Sequence, residues 1–162
     1  MKNKSTRNPL SSADRQEAVT LLNQNIAELF DLFTRVKQAH WNLQGISFIS
    51  LHKIFDEFAE TILNDLDETA ERAGALGGFV EGTLQDAAKS SRLKKKNEPT
   101  LDSVQRDWLE ELADLHATCA AHTRKAIKKL TKMEDFGTAD LLTQSLRHLE
   151  KQLWILESHL NK

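Results

Sequence analysis

The chain has 162 residues, of which 40% are hydrophobic, and this suits one compact domain with a core of its own. A formal net charge of −2 excludes a uniformly basic nucleic-acid surface, and the N-terminus lacks the apolar run of a signal peptide or spanning helix. A single cysteine excludes an internal disulfide framework and favours a cytoplasmic protein. The small number of prolines and glycines, two and six, favours an all-α chain, and no membrane anchor is predicted.

The N-terminus predicts a flexible cationic tail over residues 1–10. This stretch holds Lys2, Lys4 and Arg7 without an acid and shows no helical period. Residues 11–162 are then predicted to form one helical bundle.

The first two predicted helices form a hairpin. Ser11 has a capping-box acid three residues later, and apolar residues then recur every three or four positions up to His40. Gly45 interrupts the pattern, and a second helix is predicted from about Phe48 to Leu76. Because the connector is short, the second helix should return antiparallel to the first.

A long crossover, from Gly77 to about Pro99, separates this hairpin from a second one. Within it, "TLQDAAKSS" predicts a short helix. A third long helix is predicted from near Asp102 to about Lys132, and a fourth, with a leucine stripe, follows the break "EDFGT". Connections that are short, long and short in turn are typical of the ferritin-like four-helix bundle.

The second predicted helix carries metal-ligand side chains in one sector of its surface. At about 100° per residue, His52, Asp56, Asp67 and Glu71 fall within about 100°, beside the apolar stripe. The first two and the last two each have the i, i+4 spacing that brings side chains together. His40 joins the first pair because the short connector returns the chain there. The residues predicted to face solvent on the far side are Thr61, Asn64, Glu68 and Arg72.

One subunit cannot complete a site from these residues. His52 and Asp67 lie 15 residues apart, roughly 22 Å along a continuous helix. A full site needs His40, His52 and Asp56 of one subunit to meet Asp67 and Glu71 of another, as an isologous dimer with antiparallel helices achieves twice. Imidazoles and carboxylates suit iron, manganese or zinc, and open positions favour iron. The alternative is two solvated clusters at the helix ends.

The other histidines predict packing. His116, Cys119 and His122 are spaced by three residues, but the outer pair spans about 9 Å along a helix, too far for comfortable shared ligation. His148 and His159 have no partner motif. The sequence also lacks the Glu-x-x-His motif of bundles that hold a di-iron site within one subunit.

Several segments occur in the order found in a known family: "KQAHWN", "LDETAERAGALGG", "RKAI", "TADLLT" and "LWILESHL". On these segments, nearly all of the chain after the tail resembles the Dps-type miniferritins, DNA-binding proteins from starved cells. The resemblance implies a hollow homo-dodecamer with ferroxidase centres at its two-fold interfaces. There Fe²⁺ is oxidised, preferentially by hydrogen peroxide, and ferric mineral is stored inside.

Matching motifs carry the ferroxidase ligands onto this chain. The resemblance implies that His40, His52 and Asp56 come from one subunit and Asp67 and Glu71 from its partner. Iron is then the metal, with zinc as a competitor.

Two further features depend on this resemblance. Trp41 is predicted to pack over the site or trap a stray oxidising equivalent, or else to fill a bundle end. Glu134, Asp135 and Asp140 resemble the acidic lining of three-fold pores, where a negative field concentrates Fe²⁺. The alternative is that these acids interact with the dipole of the fourth helix.

DNA association is predicted from the tail cations Lys2, Lys4 and Arg7. Repeated over a shell, they give multivalent, salt-sensitive contacts without sequence preference. The run Arg92 and Lys94 to Lys96 either adds to these or is a solvated loop. The leading hypothesis is a ferroxidase and iron store that protects DNA, associated with the nucleoid. The alternative is a nucleoid-compacting DNA-binding protein whose metal site is vestigial or occupied by zinc.

Overall fold

The chain folds into two antiparallel helical hairpins joined by a long crossover. A computed structural model describes residues 4–94 and 99–160. The helices found there are α1 (Ser12–Asn42), α2 (Phe48–Ala75), α3 (Leu84–Ser90), α4 (Gln105–Lys132) and α5 (Phe136–Leu160). The predicted all-α, ferritin-like bundle, with a short helix in its crossover, is confirmed. No helix among the described residues is long and apolar enough to cross a membrane.

The first hairpin begins and turns where the sequence predicts. The Ser11 hydroxyl accepts a hydrogen bond from the Asp14 N–H at 3.1 Å, which satisfies a free donor of the first turn of α1. Gly45 makes the turn to α2 at φ 119°, a value that residues with a side chain rarely adopt. This turn brings the last residues of α1 against the first residues of α2.

The start of α4 differs from its prediction. The helix begins at Gln105 rather than near Asp102, because the Asp107 carboxylate accepts a hydrogen bond from the Val104 N–H at 3.0 Å. The local cap therefore fixes the start of the helix, and Asp102 lies in the preceding turn.

The start of α5 also differs, because only part of the predicted break "EDFGT" is a break. Glu134 takes a positive φ of 58° and reverses the chain. Asp135 then accepts a hydrogen bond from the Thr138 N–H at 3.1 Å, and the helix begins at Phe136. Gly137, which the sequence places in the break, therefore lies within the first turn of α5.

Two hydrophobic clusters fill the bundle. The larger one includes Leu29, Phe55 and Leu149 from three of the long helices. The smaller one lies around Leu22 and Leu142, towards the start of α1 and of α5. These buried positions belong to the predicted apolar stripes, so the core follows from the helical period.

The seam between α2 and α5 is partly ionic, which corrects one prediction. Arg72 does not simply face solvent. Its Nη2 donates a hydrogen bond to the buried Asp135 carboxylate at 2.9 Å, and its Nε donates to the Thr138 hydroxyl at 2.8 Å. The end of α2 is thereby tied to the first turn of α5.

The described part of the N-terminal segment lies against the bundle. The Lys4 N–H donates a hydrogen bond to the Gly77 carbonyl at 2.7 Å, and Arg15 donates to the Asn8 carbonyl at 3.4 Å. The side chains of Lys4 and Arg7 are exposed. Lys2 lies outside the described residues.

Candidate metal centre

Three of the predicted ligands meet at one end of the α1–α2 hairpin. The last turns of α1 carry His40, and the first turns of α2 carry His52 and Asp56. One candidate ligand atom from each lies within 4.8 Å of the others. The two imidazole rings are stacked, with centroids 3.6 Å apart and planes at 18°. Within residues 4–94 and 99–160, this is the only such group of three or more candidate ligands.

Backbone carbonyl groups fix the tautomer of both histidines. The Nδ1 atom of His40 lies 2.8 Å from the carbonyl oxygen of His52, and the Nδ1 atom of His52 lies 3.0 Å from the carbonyl oxygen of His40. A carbonyl only accepts, so each Nδ1 carries the proton. Each Nε2 then keeps its lone pair for a metal, in the orientation that a hydrogen-bonded ligand histidine requires.

Lys37 is a member of this site that the sequence pattern did not reveal. Its Nζ donates a hydrogen bond to Asp56 Oδ1 at 2.6 Å and lies 5.8 Å from the centroid of the Trp41 ring. The hydrogen bond from Lys37 is the main reason that the pKa of the Asp56 carboxyl lies below its usual value. The available signal was the i, i+3 spacing of Lys37 and His40 on one helix face.

Replacing Lys37 by methionine should strengthen Zn²⁺ binding at this half-site near pH 7. The ammonium of Lys37 lies 2.6 Å from Asp56 Oδ1, so it competes with a cation for that oxygen and repels the cation. Asp56 stays ionised near pH 7 without Lys37, because the ordinary pKa of an aspartate is about 3.9. Equilibrium dialysis against Zn²⁺ checks this. Lys37→Arg and the exposed Lys53→Met should keep the parent's affinity; an unchanged affinity in Lys37→Met would contradict the prediction.

The other two predicted ligands lie far from this group in the same subunit. Asp67 and Glu71 are exposed on α2, which runs without a break from Phe48 to Ala75. Along the helix, Asp67 therefore lies about 22 Å from His52, and Glu71 lies about 28 Å from it. A single subunit holds a three-residue half-site and, separately, a two-carboxylate half-site.

Exposed apolar side chains lie beside the three-residue half-site and farther along the same side of α2. Trp41 is 70% exposed, so in the single subunit it does not fill a bundle end. Ile46, Ile49 and Leu63 are also exposed, and the last two lie on the side of α2 that carries the ligands. An apolar surface around partly buried ligands is typical of a protein interface.

The three acids in and just after the turn between α4 and α5 divide between the two predicted roles. Asp135 is only 3% exposed, caps α5 and binds Arg72, so for this residue the structure supports the helix-terminal role. Glu134 and Asp140 are exposed. Pore lining stays a prediction for these two.

The histidines and cysteine outside the half-site are packed or paired. His116 and Cys119 are fully buried, as predicted, and burial lowers the pKa of the imidazole and raises that of the thiol. His122 lies 2.9 Å from the buried Glu28 carboxylate. His148 has a partner that the sequence did not indicate, the Asp65 carboxylate at 2.9 Å.

Comparison with known proteins shows which family and which solved structures this chain resembles. The ferritin-like domain family matches residues 19–162. The "DNA protection during starvation protein" of Agrobacterium fabrum is 39% identical over 162 residues, which cover 100% of this chain and 99% of that protein. The structure of DpsC from Streptomyces coelicolor superposes with a TM-score of 0.93 at 26% identity, covering 99% of this chain and 93% of DpsC. Mycobacterium smegmatis Dps gives 0.91 at 28% identity, covering 98% and 94%.

Proposed function

Because the chain belongs to the Dps-type miniferritins of the ferritin-like family, we propose that it is a ferroxidase and iron store. In this proposal Fe²⁺ is the substrate and is oxidised by hydrogen peroxide at sites shared between two subunits. The ferric product is stored inside a dodecameric shell, and removing both reagents protects DNA from oxidative damage.

The spacing of the two half-sites on α2 carries this proposal. If two copies of α2 cross antiparallel about a two-fold axis near residues 61 and 62, His52 of one copy faces Glu71 of the other. The same register places Asp56 opposite Asp67. Both pairs align in one register, and the axis generates the site twice. One register aligns both pairs because each pair has the same i, i+4 spacing and both pairs lie in one sector of α2.

The surface between the half-sites supports the same contact. Leu63 is exposed within one turn of the proposed axis, and Ile49 is exposed beside the half-site. A second copy crossing here would remove both from water, at roughly 25 cal/mol per Å² of apolar surface. The partner's carboxylates would then reach the Nε2 side of the two histidines.

The ligand set suits oxidation of ferrous iron. Neutral imidazoles bind Fe²⁺, and carboxylates lower the cost of Fe³⁺ relative to Fe²⁺. In the balanced reaction, two ferrous ions lose one electron each, hydrogen peroxide accepts both, its O–O bond breaks, and two protons complete two waters. Zinc fits the same donors without redox chemistry, so we expect it to inhibit.

Anaerobic Fe²⁺ loading followed by a pulse of hydrogen peroxide tests the proposal. The protein is first separated by size so that only assembled shells are assayed, and ferric absorbance is followed. We expect oxidation faster than in protein-free buffer, with ferric iron eluting in the shell fraction. Oxidation at the protein-free rate by an intact shell would contradict the ferroxidase and leave a DNA-binding protein with a vestigial or zinc-occupied site.

DNA association through the N-terminal cations is a second part of the proposal. The side chains of Lys4 and Arg7 are exposed, so they are available to phosphates. The Lys4 backbone is held at Gly77, which positions these cations next to the end of α2. Binding of this kind would be independent of DNA sequence and would associate the shell with the nucleoid, in the cytoplasm.

Neutralising the tail should abolish DNA binding. Replacing Lys2, Lys4 and Arg7 together by glutamine removes three charges per subunit but leaves the backbone contact of Lys4 intact. We expect gel shifts at low salt to be lost. For any residual binding, the slope of the logarithm of the binding constant against the logarithm of the salt concentration should become shallower by about 0.9 for each phosphate contact removed. The matched control is Lys2→Arg/Lys4→Arg. Unchanged shifts in the glutamine variant would count against a role for the tail.

A further inference from the structure

Four exposed lysines form one face near the end of α4. At about 100° per residue, they fall within a sector of about 100° of the helix surface. We call this surface the α4 lysine face, and its members are Lys125, Lys128, Lys129 and Lys132. The first and the last of them lie roughly 10 Å apart along the helix.

Helix stability does not explain this face. Each of its lysines lies three or four positions from another, and like charges at these spacings destabilise a helix. The helix dipole attracts cations only within the last turn, which holds Lys129 and Lys132. Glu17 on α1 pairs with Lys129 at 3.3 Å. Within residues 4–94 and 99–160, the other three lysines have no acidic partner, so their charges are available to an external anion.

Arg92 lies across a groove from this face. The groove, between α1 and α4, is about 160 Å³ in volume and is lined by Arg92, Lys125 and Lys129, among others. The Arg92 Nε donates a hydrogen bond to the buried Glu28 carboxylate at 2.7 Å, while the Arg92 side chain stays 50% exposed. Because Glu28 offsets its charge, Arg92 adds hydrogen-bond donors beside the face rather than net charge.

The face lies away from the proposed contact between subunits. The proposed two-fold crossing and both half-sites belong to α2. Helix α4 packs against α1 and α5, so it is diagonally opposite α2 in the bundle. A dimer formed through α2 therefore leaves the α4 lysine face exposed.

Duplex DNA fits this surface better than a lipid membrane does. A helix face that binds membranes combines cations with large exposed apolar side chains. Among residues 105–135, all of which the structure describes, no large hydrophobic side chain is exposed. A DNA duplex carries one negative charge per about 1.7 Å of its axis, so about six charges lie along the roughly 10 Å length of the face.

We propose that the α4 lysine face, together with Arg92, binds the phosphate backbone of duplex DNA. Lysine ammonium groups contact phosphates as point charges and read no base, so the binding has no sequence preference. The inference deepens the DNA association of the proposed function and rests on it, but it is independent of the ferroxidase. It adds a rigid surface of the bundle to the cations of the N-terminal tail.

Fluorescence anisotropy of a labelled duplex, titrated with assembled shells at low salt, tests this surface. The variant Lys125→Gln/Lys128→Gln/Lys132→Gln removes three charges per subunit and keeps the pair of Lys129 with Glu17. We expect its affinity for DNA to fall at least about tenfold. The slope of the logarithm of the binding constant against the logarithm of the salt concentration should become shallower by about 0.9 for each phosphate contact removed.

A matched control separates this surface from the total charge of the shell. Lys89→Gln/Arg147→Gln/Lys151→Gln also removes three exposed cations per subunit, from α3 and α5, and should keep the parent's affinity. An equal loss in both triple variants would overturn the proposal, because net charge alone would then explain binding. The α4 variant should assemble and melt at the parent's temperature or higher, since like-charge pairs are removed.

The tail variant separates this inference from the rest of the proposed function. Parent shells that bind no DNA would overturn the α4 lysine face and DNA association together. If the parent binds DNA, the α4 variant binds equally well and only the neutralised tail loses binding, the α4 lysine face is overturned and the tail stands. Weaker binding in the α4 variant, with the control unchanged, supports the face whatever the tail contributes.

Discussion

Shells that mix two inactive variants should recover about a quarter of the parent's peroxide-driven Fe²⁺ oxidation. One variant is His52→Ala/Asp56→Ala, and the other is Asp67→Ala/Glu71→Ala. Each variant alone lacks one half of every site, so we expect its activity to fall at least about 100-fold. Losing only a residue that orients a metal ligand costs about 10–100-fold, and losing the ligands themselves should cost more. In a mixed dimer, one of the two symmetric sites combines both defects and the other combines neither.

The recovered fraction follows from symmetry. Random mixing of equal amounts makes half of the dimers mixed, and each mixed dimer has one intact site of two. The measurement is ferric absorbance after co-refolding, with shells isolated by size. Glu68→Ala, next to Asp67 but on another side of α2, is the matched control and should keep full activity. No recovery in well-assembled mixed shells would mean that the two half-sites do not meet across a dimer axis.

The sequence predicts the helices and the half-sites because both depend on short-range spacing. Apolar residues recurring every three or four positions determine which face of α1 or α2 is buried, and Phe55 and Leu29 lie where that period places them. The same period groups His52 with Asp56, and the short connector around Gly45 brings His40 to them. These contacts require only a helix and a tight turn.

Contacts between the hairpins could not be predicted in the same way. Arg72 and Asp135 are 63 residues apart in sequence, and Asp65 and His148 are 83 apart. Arg72, Asp65 and His148 lie on helices, and Asp135 caps one. The period of each helix describes only the faces of that helix. Which polar residues meet across the seam depends on how the hairpins are aligned, and the crossover between them carries little periodic signal. The sequence therefore predicts that Arg72 faces solvent and that His148 has no partner.

Asp135→Ala should be the most destabilising of the changes considered in and just after the turn between α4 and α5. The Asp135 carboxylate is buried, caps α5 and binds Arg72 at 2.9 Å, so its removal leaves a partly buried guanidinium without its partner. Losing one member of such a pair costs about 3–5 kcal/mol in the free energy of unfolding. Asp135→Asn should cost less, because asparagine also caps helices. Chemical denaturation at one fixed subunit concentration measures both, since the stability of an oligomer depends on concentration.

The same experiment separates structural acids from pore acids. Glu134→Gln and Asp140→Asn change exposed side chains, so their stability should stay within about 0.5 kcal/mol of the parent. If these two line an ion pathway, the variants should instead slow Fe²⁺ uptake, most clearly at low ionic strength, where the field of exposed carboxylates is least screened. An Asp135→Ala protein as stable as the parent would contradict the structural role. Because the charge of Asp135 is neutralised by Arg72 in the seam, any field that guides iron here must come from Glu134 and Asp140.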